Sequence, residues 1–409
     1  MIYDVVIIGS GIAGVYAAYN IKHRNPNLSI MVLEKHKKAW IGGRTGNELF
    51  YGTNVATGAG IGRKRDRLLK KLVQTLGAEV KEFRVESHFS KLMDPVDVKD
   101  ILSHLREEYE KRTNHRAKEP TFERFAKPIL GTAIYNRFLL SSGYTDYEKA
   151  GTRETLYDYG MEDNACCLTA FGVNWHKTIM DLARLVGESN FRFSQNVVEI
   201  SGTADNFAVV IETGRRYNCK RVIVATTITS LRALFPKHAI YREVEGQPFL
   251  RIYGKFTKQS IPIMKEYVKS GHISVPGPVQ KIIAMNADTG VYMIVYNDNQ
   301  HTLTLKPYSE NTEKNRELYC RLIERSLGMP AGRLNLIAIR SFYWPIGTHY
   351  FPPLDTAKYS SREEFIEKAQ NPADGILVVG EVVSQHQGWV EGALESVEAV
   401  VTKKWINNI

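Results

Sequence analysis

The hydrophobic pattern opens with an unbroken apolar run, Val5-Val6-Ile7-Ile8, and a second run, Ile30-Met31-Val32-Leu33, follows it. Between them Val15, Ala17, Ala18 and Ile21 recur at helical spacing, so this opening reads as strand, helix, strand. From about residue 94 the pattern turns helical. Val98, Ile101, Leu102, Leu105 and Tyr109 keep a helical period behind Asp94-Pro95, which reads as an N-cap followed by a first-turn proline. A second helix is expected from 121 to about 140. Chemistry is sparse there, and His104 and His115 read as exposed rather than catalytic.

The pattern continues with a helix over 176–186, a strand at Val197-Val198-Glu199-Ile200, a hairpin turning at Thr213-Gly214 and the strand Arg221-Val222-Ile223-Val224-Ala225-Thr226. Strands are expected over 247–258, 281–285 and 291–296, and a helix over 313–327. A last block runs from Ser341-Phe342-Tyr343-Trp344-Pro345 to the strand Gly375-Ile376-Leu377-Val378-Val379. No internal repeat or low-complexity segment interrupts this order.

At 409 residues the chain can bury a large core and is long for one domain, so two are expected. Its 43% hydrophobic and 24% charged residues describe an ordinary soluble globular protein. No apolar run reaches the ~18 to 20 residues that span a bilayer. The first strand begins at Ile2, which leaves no room for a cleaved signal, and Trp405-Ile406-Asn407-Asn408-Ile409 matches no targeting address, so a cytoplasmic location is expected. Cys166, Cys167, Cys219 and Cys320 lack metal-ligand or redox spacing; they read as reduced and structural, and no metal site is expected.

Lys plus Arg exceeds Asp plus Glu by 54 − 44 = 10. Part of the excess is local. Arg63, Lys64, Arg65, Arg67, Lys70 and Lys71 surround a helix whose apolar face is Leu68, Leu69, Leu72, Val73 and Leu76, ended by Gly77. No aromatic residues interleave with these charges, so a solvated face is read in preference to a nucleic-acid surface. A net charge of +10 also gives a polycation no inward steering.

The first chemical signal is Gly9-Ser10-Gly11-Ile12-Ala13-Gly14, placed between the first strand and the helix, as a dinucleotide fingerprint requires. One glycine permits the tight turn, one lets backbone approach a pyrophosphate and one lets helix and strand pack closely; the helix N-terminus then faces the phosphates. Glu34 stands twenty residues past Gly14 at the end of the second strand, where a carboxylate accepts from the ribose hydroxyls and excludes a 2′-phosphate. A second complete fingerprint is absent, since Gly58-Ala59-Gly60-Ile61-Gly62 has the wrong spacing and no following acid.

The run from Val32-Leu33-Glu34-Lys35 to Gly42-Gly43-Arg44-Thr45, then Gly58-Ala59-Gly60-Ile61-Gly62, resembles the N-terminal part of the flavin-containing amine oxidase family. That family includes monoamine, polyamine and L-amino-acid oxidases. Gly380-Glu381 and Gly388-Trp389-Val390-Glu391-Gly392-Ala393 resemble its closing motif, and 175–230 its central block. The resemblance implies an α/β fold: a Rossmann-type FAD-binding domain built from 1–80, 175–235 and 366–409, with an inserted α+β substrate domain from 81–174 and 236–365. It implies that Val197 holds the adenine through its backbone and that Ala225-Thr226 pass under the cofactor. Glu381 is expected at the ribityl chain, and the helix opening at Val390 is expected to point at the flavin's pyrimidine carbonyls, where it favours negative charge. The cofactor residues so implied are Gly9, Gly11, Ile12, Ala13, Gly14, Glu34, Lys35, Gly42, Gly43, Arg44, Gly58, Ala59, Gly60, Ile61, Val197, Ala225, Thr226, Gly380, Glu381, Trp389, Val390 and Ala393.

The substrate side departs from the family. Trp389 falls on one wall of the aromatic pair that flanks the substrate nitrogen; the alternative is a core tryptophan. Aligned through Tyr350-Phe351-Pro352-Pro353, the second wall falls on Gly347, so Tyr343, Trp344 or Tyr350 must supply a ring. Ile346 stands where monoamine oxidases carry the cysteine bonded to flavin, which implies non-covalent FAD. Arg251 replaces the family's lysine; it stays charged and can order a water or bind a carboxylate. Arg63 is a second candidate anchor for a carboxylate. Lys255 lies about 13 Å along the same strand, too far to substitute. The expected activity is hydride removal from a small-molecule amine to FAD, with dioxygen as acceptor and hydrogen peroxide as product. The alternatives are a non-amine substrate on the same fold, as in desaturases or porphyrinogen oxidases, and a catalytically silent flavin-bound binding protein.

Overall fold

Strand Ile2–Ile8 has Ile30–Leu33 on one side and Arg216–Val224 on the other, both parallel to it. Phe191–Arg192 extends the sheet beyond Ile30–Leu33, and Asn206–Ile211 and Val197–Thr203 extend it antiparallel from the other edge. Ile376–Val378 completes the seven strands by pairing parallel with Val222, Ile223 and Val224. Segments from the start, middle and end of the chain therefore share one sheet. This computed structural model describes residues 2–112, 119–162, 168–268 and 270–409, so His115, Cys166 and Cys167 lie outside the described residues.

The unbroken apolar run of the first strand follows from burial on both faces. Val5 and Ile7 enter one core with Val15, Ala18, Leu182 and Leu394, whereas Val6 and Ile8 enter another with Val209, Leu231 and Phe365. Helices Ile12–Arg24, Trp175–Val186 and Val390–Val400 cover the first of these faces. Each fully buried aliphatic side chain contributes about 1.5–3 kcal/mol.

A second, six-stranded sheet runs Leu336–Tyr350, Glu245–Phe256, Val291–Asp298, Lys281–Asn286, His272–Ser274, Ser87–Phe89, antiparallel except at its last pair. One face, with Leu250, Ile252, Ile282 and Ile294, packs on helix Glu313–Leu327. The opposite face carries Tyr253, Met293 and Phe342 and packs on Phe50 and Val55, in the hairpin just ahead of Gly58. That contact brings the second sheet against the glycine-rich loop.

Helices Val98–Glu110 and Phe122–Ser142 form a separate core around Phe122, Phe125, Phe138 and Tyr147. The N-cap of the first is Asp97, whose side chain accepts from Lys99 N and Asp100 N, and not Asp94 as expected. Asp94 is drawn instead into an ion pair with Arg137 at 2.9 Å. The second helix is broken at Gly131, whose φ of 75° lies outside the helical region. His104 is exposed, and Cys219 and Cys320 are buried and unpaired. Among the described residues no helix is long and apolar enough to cross a membrane, and no group of His, Cys, Asp and Glu is arranged to hold a metal ion.

Candidate functional site

The three fingerprint glycines have different surroundings. Gly9 has φ +102°, and a Cβ there would lie 2.3 Å from the Ala225 carbonyl oxygen. A Cβ on Gly14 would lie 2.0 Å from the Gly9 carbonyl oxygen, so strand and helix touch only because both residues are glycine. A Cβ on Gly11 would meet nothing within 4 Å. Gly11 is also the N-cap of helix Ile12–Arg24 and offers no side chain to its first turn, which leaves those N–H groups facing open space. At the Gly9 end of the turn, where Thr226 Cγ2 lies 3.6 Å from the Gly9 Cβ position, the Thr226 hydroxyl is buried without a partner. Glu34 is buried and folded back on the turn, accepting from Ser10 N at 2.9 Å, Ser10 Oγ at 3.0 Å and His36 N at 2.9 Å. Gln195 N, two residues ahead of Val197, donates to the Glu34 carbonyl at 2.8 Å.

A run of small residues continues from there. Gly11 and Gly42 form an isolated parallel bridge, and the Cβ position of Gly43 lies 3.8 Å from Gly11 Cα. A Cβ on Gly58 would lie 2.1 Å from the Arg44 carbonyl, to which Ala59 N donates at 2.7 Å. Three aromatic donors hold the carbonyls of this loop: Tyr253 Oη on Ala56 at 2.6 Å, Trp344 Nε1 on Thr57 at 2.8 Å and Trp175 Nε1 on Gly60 at 2.7 Å. Lys35 and Ile61 are exposed.

The closing motif meets this strip through charge. Glu381 Oε1 accepts from Arg44 Nη1 at 2.7 Å and from His349 Nδ1 at 2.5 Å, while its Oε2 accepts from Gly388 N at 3.0 Å. His349 Nε2 accepts from Ile228 N at 3.1 Å, which puts the ring proton on the nitrogen facing Glu381. Burial opposes ionisation of Glu381, but His349 and Arg44 outweigh it and hold the carboxyl well below the ordinary carboxylate range. Arg44 also reaches the Gly347 carbonyl at 2.9 Å. Gly380 has φ +124°, and its N donates to Ser396 Oγ at 2.7 Å. Val390 and Ala393 are buried in the first core, and Trp389 is the N-cap of their helix, again without a side-chain cap. Glu391 faces elsewhere: its two oxygens accept from Leu68 N at 2.7 Å and Leu69 N at 2.9 Å, capping the basic helix Arg67–Thr75.

Trp389 is partly buried. Its ring packs edge-on against Trp175 at 6.3 Å, Nε1 donates to Asp66 Oδ2 at 2.7 Å, and Arg63 lies over the ring at 5.3 Å. Arg63 is committed to Asp66 at 2.9 Å. On the facing sheet, the terminal nitrogens of Arg251 lie 3.8 and 3.9 Å from the Cβ position of Gly60. Lys255 is engaged with the Thr289 carbonyl on an exposed edge.

Gly347 lacks a ring because its space is taken. A Cβ there would lie 2.3 Å from Phe249 Cβ, and the Phe249 ring stands 5.0 Å from Tyr296, edge to face. Phe249 is thus an aromatic group that the sequence reading missed. Tyr343 belongs to the opposite face of the sheet, with Lys306 over its ring at 4.6 Å, so it cannot supply the second wall. Trp344 is fixed on Thr57. Tyr350 lines a cavity of about 40 Å³ with Asp146, Tyr159, Gln247, His349 and Gly388. A surface groove of about 700 Å³ near helix Arg362–Gln370 shares only the segment around Gln385 with this region.

The family model of flavin containing amine oxidoreductases matches residues 12–401. Among solved structures, a triple mutant of putrescine oxidase made in a redesign of cofactor binding is similar with a TM-score of 0.75 at 14% identity, over 100% of this chain and 99% of that one. Cyclohexylamine oxidase from Brevibacterium oxydans IH-35A gives 0.74 at 14% identity, over 100% and 99%. Wild-type putrescine oxidase bound to putrescine gives 0.72 at 14%, over 98% of each chain. Identities this low speak for the fold alone. No curated protein matches the sequence.

Proposed function

The chain belongs to the flavin containing amine oxidoreductase family, and we propose that it holds FAD without a covalent link and oxidises a small-molecule amine at the expense of dioxygen. The observation that carries this reading is the open space over Gly11 at an uncapped helix N-terminus, in a turn whose Gly9 end packs against Thr226, a residue with a partnerless buried hydroxyl. These features fit a pyrophosphate, which needs close backbone approach and free donors. In this reading the seven-stranded sheet and its helices are the FAD-binding domain of 1–80, 175–235 and 366–409, and the second sheet belongs to the substrate domain.

Bound FAD would supply the redox chemistry, a two-electron acceptor for the C–H beside a neutral amine that dioxygen reoxidises, so that amine plus oxygen would become imine plus hydrogen peroxide. The chain's residues bind and orient. Glu34 would turn from Ser10 to the ribose, Val197 backbone would meet the adenine, and Arg44 with Glu381 would bracket the ribityl chain. The N-terminus of helix Val390–Val400 favours negative charge on the ring system. Trp389 and Phe249 supply aromatic surface, and Arg251 orders a water or an anion beside Gly60. Ile346, packed on Gly246, offers no nucleophile for a covalent link.

The test is to denature the purified holoprotein and identify the released chromophore, then measure oxygen uptake and peroxide formation with putrescine, cyclohexylamine and L-amino acids. Free FAD and one peroxide per amine oxidised are expected. A flavin that stays with the polypeptide, or FMN, contradicts the cofactor assignment; the absence of peroxide with every amine contradicts the reaction.

A further inference from the structure

The second sheet carries two buried cations on either side of Tyr296, Arg251 beside Gly60 of the glycine loop and Lys281 beside Tyr144. Arg251 and Lys281 are each only 4% exposed, and among the described residues neither has a carboxylate within ion-pair distance. Arg251 Cζ lies 4.4 Å from the Tyr296 ring centroid and 5.6 Å from that of Phe249; its Nε has no partner. Lys281 Nζ lies 5.7 Å from the same Tyr296 centroid and 3.7 Å from that of Tyr144, whose hydroxyl donates to Tyr296 Oη at 3.3 Å. Ring faces attract cations but do not replace water around two buried charges.

The nearest acids are already engaged. Asp298 accepts from Thr145 N and Thr145 Oγ1, both at 2.8 Å, from Asp146 N at 3.1 Å and from Gln280 Nε2 at 3.2 Å. Asp146 accepts from Tyr159 Oη, and burial together with Asp298 raises its pKa, so its charge is weak near neutrality. Burial pushes Lys281 down to about 7, helped by Arg251 and opposed by Asp298 and Asp146. His272, pushed down to about 3 by burial and then Lys281, stays neutral. A polyamine substrate needs carboxylates in front of it, whereas this face presents cations.

We propose that the substrate carries a carboxylate beside its amine, and that this carboxylate seats against Arg251 and Lys281 across the Tyr296 ring, making the substrate class an amino acid rather than a simple amine. The inference rests on amine oxidation being the reaction of the site. It assigns Lys281, which no family motif marks, as a substrate-binding residue.

The test uses pairs that differ only by the carboxylate, L-lysine against cadaverine and L-phenylalanine against 2-phenylethylamine, with anaerobic bleaching of the holoenzyme's flavin as readout. Separately, 3-phenylpropanoate, which has no amine to oxidise, is titrated while the flavin band is followed. The acid of each pair is expected to reduce the flavin at least about tenfold more efficiently than its amine, and Lys281→Met is expected to weaken 3-phenylpropanoate on the order of tenfold to a hundredfold. Equal bleaching by both members, with no spectral response to 3-phenylpropanoate, overturns the inference and leaves amine oxidation standing. A Lys281-dependent response without bleaching by any amine supports the anion site while contradicting the reaction. Neither bleaching nor response overturns both. Flavin content and far-UV circular dichroism of Lys281→Met, together with wild-type titrations at several pH values, separate a folding defect from a lost contact.

Discussion

Trp389 donates its indole N–H to Asp66 Oδ2 at 2.7 Å, across 323 residues of sequence, and the same oxygen accepts from Arg63 N at 2.7 Å. Asp66 is fully buried, so one carboxylate fixes both the indole and the start of the basic helix. Asp66→Ala is expected to remove the acceptor shared by Trp389 Nε1, Arg63 N and Arg63 Nε, costing about 1–3 kcal/mol of stability. It should lower kcat/KM more than Lys71→Ala on the exposed face of the same helix. Thermal denaturation and amine-dependent flavin reduction measure the two effects, and equal kinetics in both variants would detach Trp389 from the site.

Gly11 and Gly14 separate binding from folding. Gly14→Ala forces a Cβ to within 2.0 Å of the Gly9 carbonyl oxygen, and overpacking of this kind costs about 1–3 kcal/mol. Gly11→Ala meets no protein atom and is expected to fold normally, but it projects a methyl group where the pyrophosphate is proposed to lie. The apoprotein Tm should drop for Gly14→Ala only, while FAD titration should weaken for Gly11→Ala. Unchanged FAD affinity in Gly11→Ala would remove the phosphates from this turn.

Phe249 and Gly347 fill one space between them. Restoring an aromatic residue by Gly347→Tyr alone drives its Cβ to 2.3 Å from Phe249 Cβ and should destabilise the protein. Phe249→Ala combined with Gly347→Tyr should recover part of that loss, a coupling that a double-mutant cycle in chemical denaturation reads directly. Strict additivity would mean that the two positions do not share the wall.

These pairs show where the sequence was readable. The fingerprint from Gly9 to Gly14, Glu34 and the closing Gly380 to Ala393 were legible because backbone geometry demands glycine at fixed spacing and because strand, helix and acid follow in local order. Asp66, His349, Phe249 and Lys281 carry no such local signature. Each is defined by a partner far along the chain, such as Glu381 for His349 or Tyr144 for Lys281. Gly347 read as a missing ring because the register shift between Gln247 and Phe249, which delivers the Phe249 side chain to it, is not encoded in any short motif. Asp94 ahead of Pro95 read as the cap, whereas Asp97 fills that place and Asp94 pairs with Arg137, a partner 43 residues away that no local pattern announces.

Glu381 gives an acid-dependent prediction. Its folded pKa is depressed below the ordinary 4.5, so the stability it contributes is present above that value and is lost as pH falls through the folded value. Glu381→Gln should cost about 1–3 kcal/mol at pH 7, because partly buried Arg44 and the buried His349 ring lose their anionic acceptor. The gap between wild type and variant should shrink in strong acid. Urea denaturation at pH 7 and pH 3 measures it, and a gap that widens in acid would contradict the assigned network.

Lys281 gives a neutral-range prediction. With its pKa pushed down to about 7, it is charged below that pH and neutral above, so affinity for 3-phenylpropanoate should fall as pH rises through about 7. Asp146, raised by burial and Asp298, gains negative charge in the same direction. Arg251 stays charged throughout and His272 stays neutral, so neither changes the slope. Lys281→Met should flatten the profile to the residue left by Asp146; an unchanged slope would transfer the effect to Asp146.

The most direct test of the central claim is the visible spectrum of the FAD-loaded protein without oxygen, before and after addition of a mixture of L-amino acids, monoamines and polyamines. Amine oxidation at this site predicts that the oxidised flavin band bleaches and that admitting oxygen restores it with release of hydrogen peroxide. A band that stays unbleached with every amine, in protein that demonstrably holds FAD, would contradict it.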